Sequence, residues 1–340
     1  MQGPVAGPAI PIGARGQEEQ MAADKVRWGI LGPGRIAEKA LGEGIHAGNA
    51  SLVAVASRDR SRARSFAEHF EIPKVHESYE ALLADPGVDA VYIATPNSLH
   101  HSMTMQALAA GKHVLCEKPY TRHPNEVVEA FDAAEAKGLV LMEAFMWRHT
   151  PEVKRFMELL PQVGEIESIR STFAFTLERT ADVRLDPKLN GGSLMDVGCY
   201  CVSGSRLAAG TDPVGVEGEQ KLGPSGVDVE FSGLLRFPSG AVAQIGCGFT
   251  YDHRSLEAIG SRNTLRMRDP WLAEPFELWL GDRRIDVATG DRYRLEIENM
   301  GDAILGRGKP LLGRADSLGQ ARTIDALYQA AASGRRVTLV

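Results

Sequence analysis

Six residues, Gly32-Pro33-Gly34-Arg35-Ile36-Ala37, follow directly on the apolar run Val26-Arg27-Trp28-Gly29-Ile30-Leu31, and a helical segment continues through Leu41. A strand that passes through a glycine-rich turn into a helix admits few folds. Gly32 permits the tight turn, Gly34 lets backbone come close to a pyrophosphate, and Ala37 allows close packing of helix on sheet. The helix N-terminus, with its unpaired N–H groups, attracts the phosphates, so Gly32, Gly34, Arg35 and Ile36 are the first cofactor-binding candidates. A plain strand–helix turn would use the same glycines. The strand before and the helix after are what point to a dinucleotide.

The second strand, Leu52 to Ala56, ends at Ser57-Arg58-Asp59. An acidic residue at this place holds the ribose diol of NAD. Here a hydroxyl and a guanidinium come first, and they suit a 2′-phosphate, with Arg62 as support. NADP is therefore the expected cofactor. Asp59 keeps NAD as the alternative, and solvated charge on the helix Ser61 to Phe70 is the plainer role for Arg58 and Arg62.

Strand and helix segments then alternate: a helix at Tyr79 to Ala84, a strand at Ala90 to Ala94, a helix at Ser98 to Ala110, a strand at His113 to Cys116, a helix at Asn125 to Lys137 and a strand at Leu139 to Met142. This alternation implies right-handed βαβ units on a parallel sheet. Thr95, Asn97 and Glu117 lie just past strand ends, where they would line a cofactor crevice, although Pro96 and Asn97 make a good turn without any ligand. Lys118 is held at the carboxyl end of its strand, because Pro119 cannot continue the ladder. His100 and His101 open a helix, where capping or surface roles suit them. His100 also joins the crevice candidates.

After Glu143 the pattern changes, and Ala144 to Pro151 reads as a hinge. The expected division is an extension at 1–24, a dinucleotide-binding domain at 25–143 and a second domain at 144–340. In the latter, a helix at Glu152 to Leu160 is followed by a long strand at Ile166 to Leu177 and a loop at Asp182 to Gly192. Further strands are expected at Val227 to Phe237, Ala241 to Tyr251, Ser255 to Ile259, Thr264 to Met267, Glu277 to Leu280 and Tyr293 to Glu296. A last helix runs from Ser317 to Ser333. Gly-containing turns such as Pro238-Ser239-Gly240 suggest antiparallel pairing. If the chain is helical from about Ser193, Asp196 and Tyr200 share one face and can point together at a cleft. A buried aromatic and a first-turn acid would look the same.

A chain of 340 residues is longer than one core usually serves. Net charge of −6 argues against nucleic acid or an anionic membrane as the main partner. Four cysteines without a CxxC pair suggest neither a zinc cage nor a disulfide framework; no metal site is expected, and the thiols fit a reducing, cytoplasmic setting. Residues 1–24 lack periodicity and make a poor secretory signal.

In order along the chain, GPGRIA, TPNSLH, CEKP, EAFMWR and GGSLMDVGCY resemble the glucose–fructose oxidoreductase / inositol dehydrogenase / rhizopine-catabolism dehydrogenase family. The resemblance implies a Rossmann domain followed by an α/β domain with a large open, mostly antiparallel sheet, often used to form homodimers or homotetramers. Many members end the last motif in His. Tyr200 stands there in this sequence, which is more similar to the glucose–fructose oxidoreductase, dihydrodiol dehydrogenase and NADP-dependent D-xylose dehydrogenase branch. By the same resemblance Lys118 and Tyr200 are the catalytic pair, and Asp196 and Arg148 are substrate-site candidates. Trp147, Phe173, Phe175 and Arg179 are further pocket candidates. A phenol is a poor base near neutrality, and a nearby ammonium would lower its pKa. The implied reaction is hydride transfer between NADP and an aldose such as D-xylose or D-glucose. A trans-dihydrodiol or a keto-sugar, free or nucleotide-linked, is the alternative. A non-catalytic cofactor sensor is the competing class. An enzyme that keeps its cofactor and shuttles hydride between two sugars is the less favoured option, because the N-terminal stretch is short and irregular.

Overall fold

In the computed structural model, which describes residues 25–44, 46–179, 181–271 and 276–339, the five apolar runs of the first 144 residues, joined at one edge by the unanticipated and mostly exposed Lys74–His76, become six parallel strands. They are β1 (Val26–Leu31), β2 (Ala50–Ala56), β3 (Lys74–His76), β4 (Ala90–Ile93), β5 (His113–Glu117) and β6 (Leu141–Ala144), in the order β3-β2-β1-β4-β5-β6. β4 is buried along its whole length, as a strand covered on both faces must be. The covering helices are α1 (Arg35–Gly44), α2 (Arg60–His69), α3 (Tyr79–Leu83), α4 (His100–Ala109) and α5 (Pro124–Ala136). Strand order reverses between β1 and β4, and in open α/β sheets ligands bind at that reversal, beyond the carboxyl ends of the strands. The extension expected over residues 1–24 lies outside the described residues.

The second sheet contains β7 (Ile166–Ala174), β8 (Gly215–Leu222), β9 (Asp228–Arg236), β10 (Val242–Gly248), β11 (His253–Gly260), β12 (Thr264–Arg268), β13 (Glu277–Leu280), β14 (Arg283–Ile285) and β15 (Val337–Thr338). Their order is β14-β13-β12-β11-β7-β10-β9-β8-β15, antiparallel throughout except for β7 beside β10. Phe231, Leu235, Ala243, Ile245, Leu256 and Leu265 turn inward, under helix α6 (Pro151–Leu159), helix α7 (Cys199–Ala209) and their neighbours. The opposite face carries charge, with Glu257 paired in register between Arg170 and Arg266. One apolar cluster joins Trp28 and Tyr92 of the first sheet to Phe145, Phe156, Tyr200 and Trp271 of the second half, so the two halves share a continuous core.

Two helices precede β15, α8 (Arg292–Ile304) and α9 (Arg314–Ser333), and both pack back on the first sheet's layer. Asn49 binds the Glu298 carbonyl and Asp302 of α8, while Arg314 of α9 pairs with Asp132 and Glu135 of α5. The strand expected at Tyr293 to Glu296 is therefore the first turn of α8. Its four residues fit either period, but Asp291 caps Arg294 N–H, and Tyr293, Glu296, Ile297 and Met300 form one buried stripe. β8, rich in charge and glycine, went unanticipated; it is held by pairing with β9 and β15. The helix expected from Ser193 begins as a π-helical turn over Leu194–Gly198 before α7 takes over.

Candidate active site

Asp59 caps α2: its carboxylate accepts the N–H groups of Ser61 and Arg62 and the Ser61 hydroxyl. Those bonds hold the Asp59 carboxyl below the usual range. A carboxylate so engaged is turned toward its own helix, with all three bonds on one oxygen. Ser57 is buried at the strand end, and Arg58 and Arg62 stand exposed beside it.

Gly32 has φ +82°, and a Cβ there would lie 2.9 Å from Thr95 Cγ2, so the turn requires glycine. At Gly34 the nearest atom to an added Cβ is 3.9 Å away, which leaves the backbone open to an approaching group. Thr95 is buried, and its hydroxyl has no protein partner. These three observations fit a dinucleotide whose pyrophosphate lies over the N-terminus of α1.

At the end of β5 the Lys118–Pro119 peptide bond is cis. Beneath it, Glu117 accepts the Tyr92 hydroxyl on one oxygen and the Lys118 N–H on the other. Glu117 is 7% exposed, so it supports the lysine from below more than it lines the crevice; burial pushes its carboxyl up. Glu143 at the end of β6 accepts Tyr120 N–H at 2.9 Å, and burial pushes its carboxyl to about 7. His100 is buried, not a surface or capping residue. Its two ring nitrogens lie 2.8 Å from the Thr95 carbonyl and 2.9 Å from that of Pro119; both carbonyls accept, so the neutral ring that burial favours donates to one of them at a time.

From the other half, the π-helical turn delivers Asp196 and Tyr200. The Lys118 ammonium donates to the Asp196 backbone carbonyl at 2.7 Å, stands 3.6 Å from its carboxylate and lies 4.8 Å from the centre of the Tyr200 ring. Asp228, buried on β9, anchors that turn by accepting Ser193 Oγ–H and Leu194 N–H. Phe145 and Phe173 meet the Tyr200 ring edge-on and Trp271 tilts against it, while its hydroxyl points at Met146 Sδ, 3.5 Å away.

Burial pushes the Tyr200 phenol well above its ordinary range, and neighbouring Glu117 and Asp196 add to the effect. The lowering expected from Lys118 does not set the direction; desolvation does. Burial also works to lower the Lys118 pKa, but Asp196 and Glu117 more than offset it, and the net direction is up. The site therefore holds a neutral phenol beside a firm ammonium.

Residues 26–145 match the family described as "Oxidoreductase family, NAD-binding Rossmann fold" (GFO_IDH_MocA), and residues 161–266 match the GFO/IDH/MocA C-terminal domain. The chain is 40% identical over 328 residues to D-xylose 1-dehydrogenase (NADP(+)) 2 of Haloferax volcanii, spanning 92% of this chain and 99% of that protein. The chain belongs to the GFO/IDH/MocA oxidoreductase family. It is also 34% identical over 265 residues to mouse trans-1,2-dihydrobenzene-1,2-diol dehydrogenase, spanning 76% and 79% of the two chains. The aldose-aldose oxidoreductase of Caulobacter crescentus, solved with glycerol, superposes with a TM-score of 0.87 at 26% identity, over 93% of this chain and all of that one.

Two pocket residues expected by resemblance to this GFO/IDH/MocA family lie elsewhere. Trp147 is fully buried and packs edge-on against Trp271 at 4.9 Å. Arg148 turns its guanidinium to Ser203 and to Asp316 of α9. The short 3₁₀ turn Met146–His149 bends both side chains into the core, a feature that composition does not reveal. Phe173 is likewise buried, Phe175 half-buried under Arg184, and Arg179 exposed. Sequence reasoning missed Arg184 and Asp182. Arg184 Nε donates to Asp196 at 2.5 Å, and Asp182 receives both Arg184 and Arg35 of α1. Arginine and aspartate two apart in a loop read as ordinary solvated charge.

Among the described residues no group of side chains is arranged to hold a metal ion, and no helix is long and apolar enough to cross a membrane.

Proposed function

We propose that this oxidoreductase is an NADP-dependent dehydrogenase of aldoses, D-xylose or D-glucose, oxidising the anomeric hydroxyl with Lys118 and Tyr200 as its acid–base pair. The observation that carries the reading is the meeting of the Lys118 ammonium, just past β5, with the Tyr200 ring, from the second half. A cofactor sensor has no need of that pair. The 40% identity to an NADP-dependent D-xylose dehydrogenase supports the substrate class.

A nicotinamide dinucleotide, when bound, accepts or supplies the hydride. The rest falls to the chain's own groups. Gly32, Gly34, Arg35 and Ile36 receive the pyrophosphate, Thr95 offers its free hydroxyl, and Ser57, Arg58 and Arg62 receive the 2′-phosphate. Asp59, spent on its cap, favours NADP over NAD. The Tyr200 phenol gives its proton to a carbonyl oxygen in reduction, and Lys118 stabilises the developing alkoxide. In oxidation the same atoms work in reverse: the phenol must first give up its proton, and the ammonium beside its ring favours the phenolate over what burial alone would allow. Asp196, beside both, is placed to accept a sugar hydroxyl.

The likeness to a dihydrodiol dehydrogenase and to an aldose-aldose oxidoreductase supports two further substrates, a cyclic trans-diol and a second sugar as hydride acceptor. We further propose that the protein works in the cytoplasm, as a homodimer or homotetramer through the charged open face of the second sheet. The deciding experiment is a screen of aldoses, polyols, keto-sugars and a trans-dihydrodiol with NADP and NAD in parallel. NADPH formation with an aldose is expected. Binding of dinucleotide without turnover of any of them would overturn the enzymatic reading.

A further inference from the structure

Lys118 and Asp196 make an incomplete ion pair. The carboxylate stands 3.6 Å from the ammonium, beyond a direct hydrogen bond, while the lysine donates to the same residue's backbone carbonyl. What keeps the carboxylate away is visible. Its other oxygen accepts Arg184 Nε at 2.5 Å, and Arg184 is fixed in turn by Asp182, whose side chain is almost fully buried. Asp182 Oδ1 accepts both the Arg184 backbone N–H and a guanidinium N–H, each at 3.1 Å, and Asp182 Oδ2 pairs with Arg35 at 3.3 Å. The segment holding Asp182 and Arg184 is clasped a second time where Asn97 Nδ2 donates to the Asn190 carbonyl at 3.0 Å. A continuous line of charge thus runs from Arg35 through Asp182, Arg184 and Asp196 to Lys118.

We propose that Arg184 is a positioning residue for the reaction: it holds the Asp196 carboxylate off Lys118, so that the ammonium keeps its positive field for Tyr200 and the substrate oxygen. The inference rests on the Lys118/Tyr200 assignment above. An unrestrained carboxylate would close on the ammonium and cancel much of that field. The charged and titratable groups facing Lys118 are Glu117 beside it, Asp196, Cys199 and Tyr200 across the crevice, and Arg184 from the loop. Removing Arg184 takes away one positive charge and frees one negative one, and both changes raise the phenol's pKa.

The test compares Arg184→Gln and Arg184→Lys with the unaltered enzyme. For each we would measure the pH profile of kcat/KM in the oxidation direction, and NADPH affinity by fluorescence titration. Arg184→Gln should lose roughly ten- to a hundredfold in kcat and move the acid limb of the profile alkaline by about one pH unit. NADPH affinity should change far less than kcat, within about threefold, because Arg35 of the nucleotide loop keeps its own pairing with Asp182. Arg184→Lys keeps the charge without the planar fork, so it should recover part of the rate and part of the limb position. If the Gln variant does not fold, the Lys variant decides alone, with about a fivefold loss and a smaller alkaline shift expected. A limb and a kcat unchanged in the folded variants, with only the melting temperature lowered, would overturn the inference. Failure of the unaltered enzyme to turn over any sugar or diol would instead overturn the function on which it rests.

Discussion

Lys118 leaves the end of β5 and places its ammonium 4.8 Å from the centre of the Tyr200 ring, which a π-helical turn of the second half presents. Neither half alone holds both groups. The phenol is kept neutral by burial, and the ammonium is kept charged by Asp196 and Glu117.

Tyr200→Phe removes the transferable proton and leaves the ring to pack against Phe145, Phe173 and Trp271. Turnover should fall by about 10²–10⁴-fold, while dinucleotide affinity changes less than about twofold. Steady-state rates with a fluorescence titration of NADPH check both halves. Full activity in the variant would take Tyr200 out of the chemistry.

Arg58→Ala and Arg62→Ala should discriminate between cofactors. Each loses a charge-assisted contact to a 2′-phosphate, worth about 1.5–3 kcal/mol, so NADP binding weakens by roughly ten- to a hundredfold. NAD binding should be unaffected, because Asp59 remains committed to its cap. Parallel calorimetric titrations with both dinucleotides settle the point, and an equal loss for the two would refute a 2′-phosphate contact.

The glycine-rich turn separates folding from binding. Gly32→Ala forces a side chain onto a backbone of φ +82° and against Thr95, so it should lower stability by about 1–3 kcal/mol as well as dinucleotide affinity. Gly34→Ala meets no atom closer than 3.9 Å; it should fold normally and lose affinity alone. Denaturant unfolding alongside a binding titration distinguishes the two variants. Equal stability losses would contradict the description of an open approach at Gly34.

Glu143 supplies a pH dependence whose sign can be worked out. Its carboxyl is raised by burial to about 7, against 4.5 in the ordinary state. A raised acid favours the folded state when protonated, so its contribution is present below about pH 4.5 and is lost as pH rises through about 7. Glu143→Gln keeps an acceptor for Tyr120 N–H without the buried charge. It should be more stable than the parent at pH 8, by up to about 3 kcal/mol, and no more stable at pH 4.5. Urea unfolding at the two pH values checks this, and a gain equal at both would assign the effect to something other than ionisation.

Five of the six strands of the first sheet were legible because they are apolar runs, and local pattern is enough to place those; the edge strand β3, Lys74–His76, is too short and too exposed to leave such a pattern. Tyr293 to Glu296 was misread as a strand because four alternating residues fit both periods; the stripe that decides for a helix extends to Met300. At the site, Lys118, Asp196 and Tyr200 sit in motifs, and the family resemblance those motifs carry brought them forward. Trp147 and Arg148 sit in a motif too, yet their direction depends on a 3₁₀ turn and on Asp316, which lies 168 residues further on. Arg184 carries no local signal at all, because its meaning lies in which carboxylates the fold brings to it.

The tether of Lys118 to the Asp196 carbonyl has a bearing on how relatives of this chain can be recombined. The amine belongs to the dinucleotide-binding half, but its perch belongs to the second half. A chimera that imports a foreign second half thereby imports a foreign setting for its own lysine. Grafts chosen to change substrate should succeed or fail according to whether the arginine and two aspartates around that perch travel together.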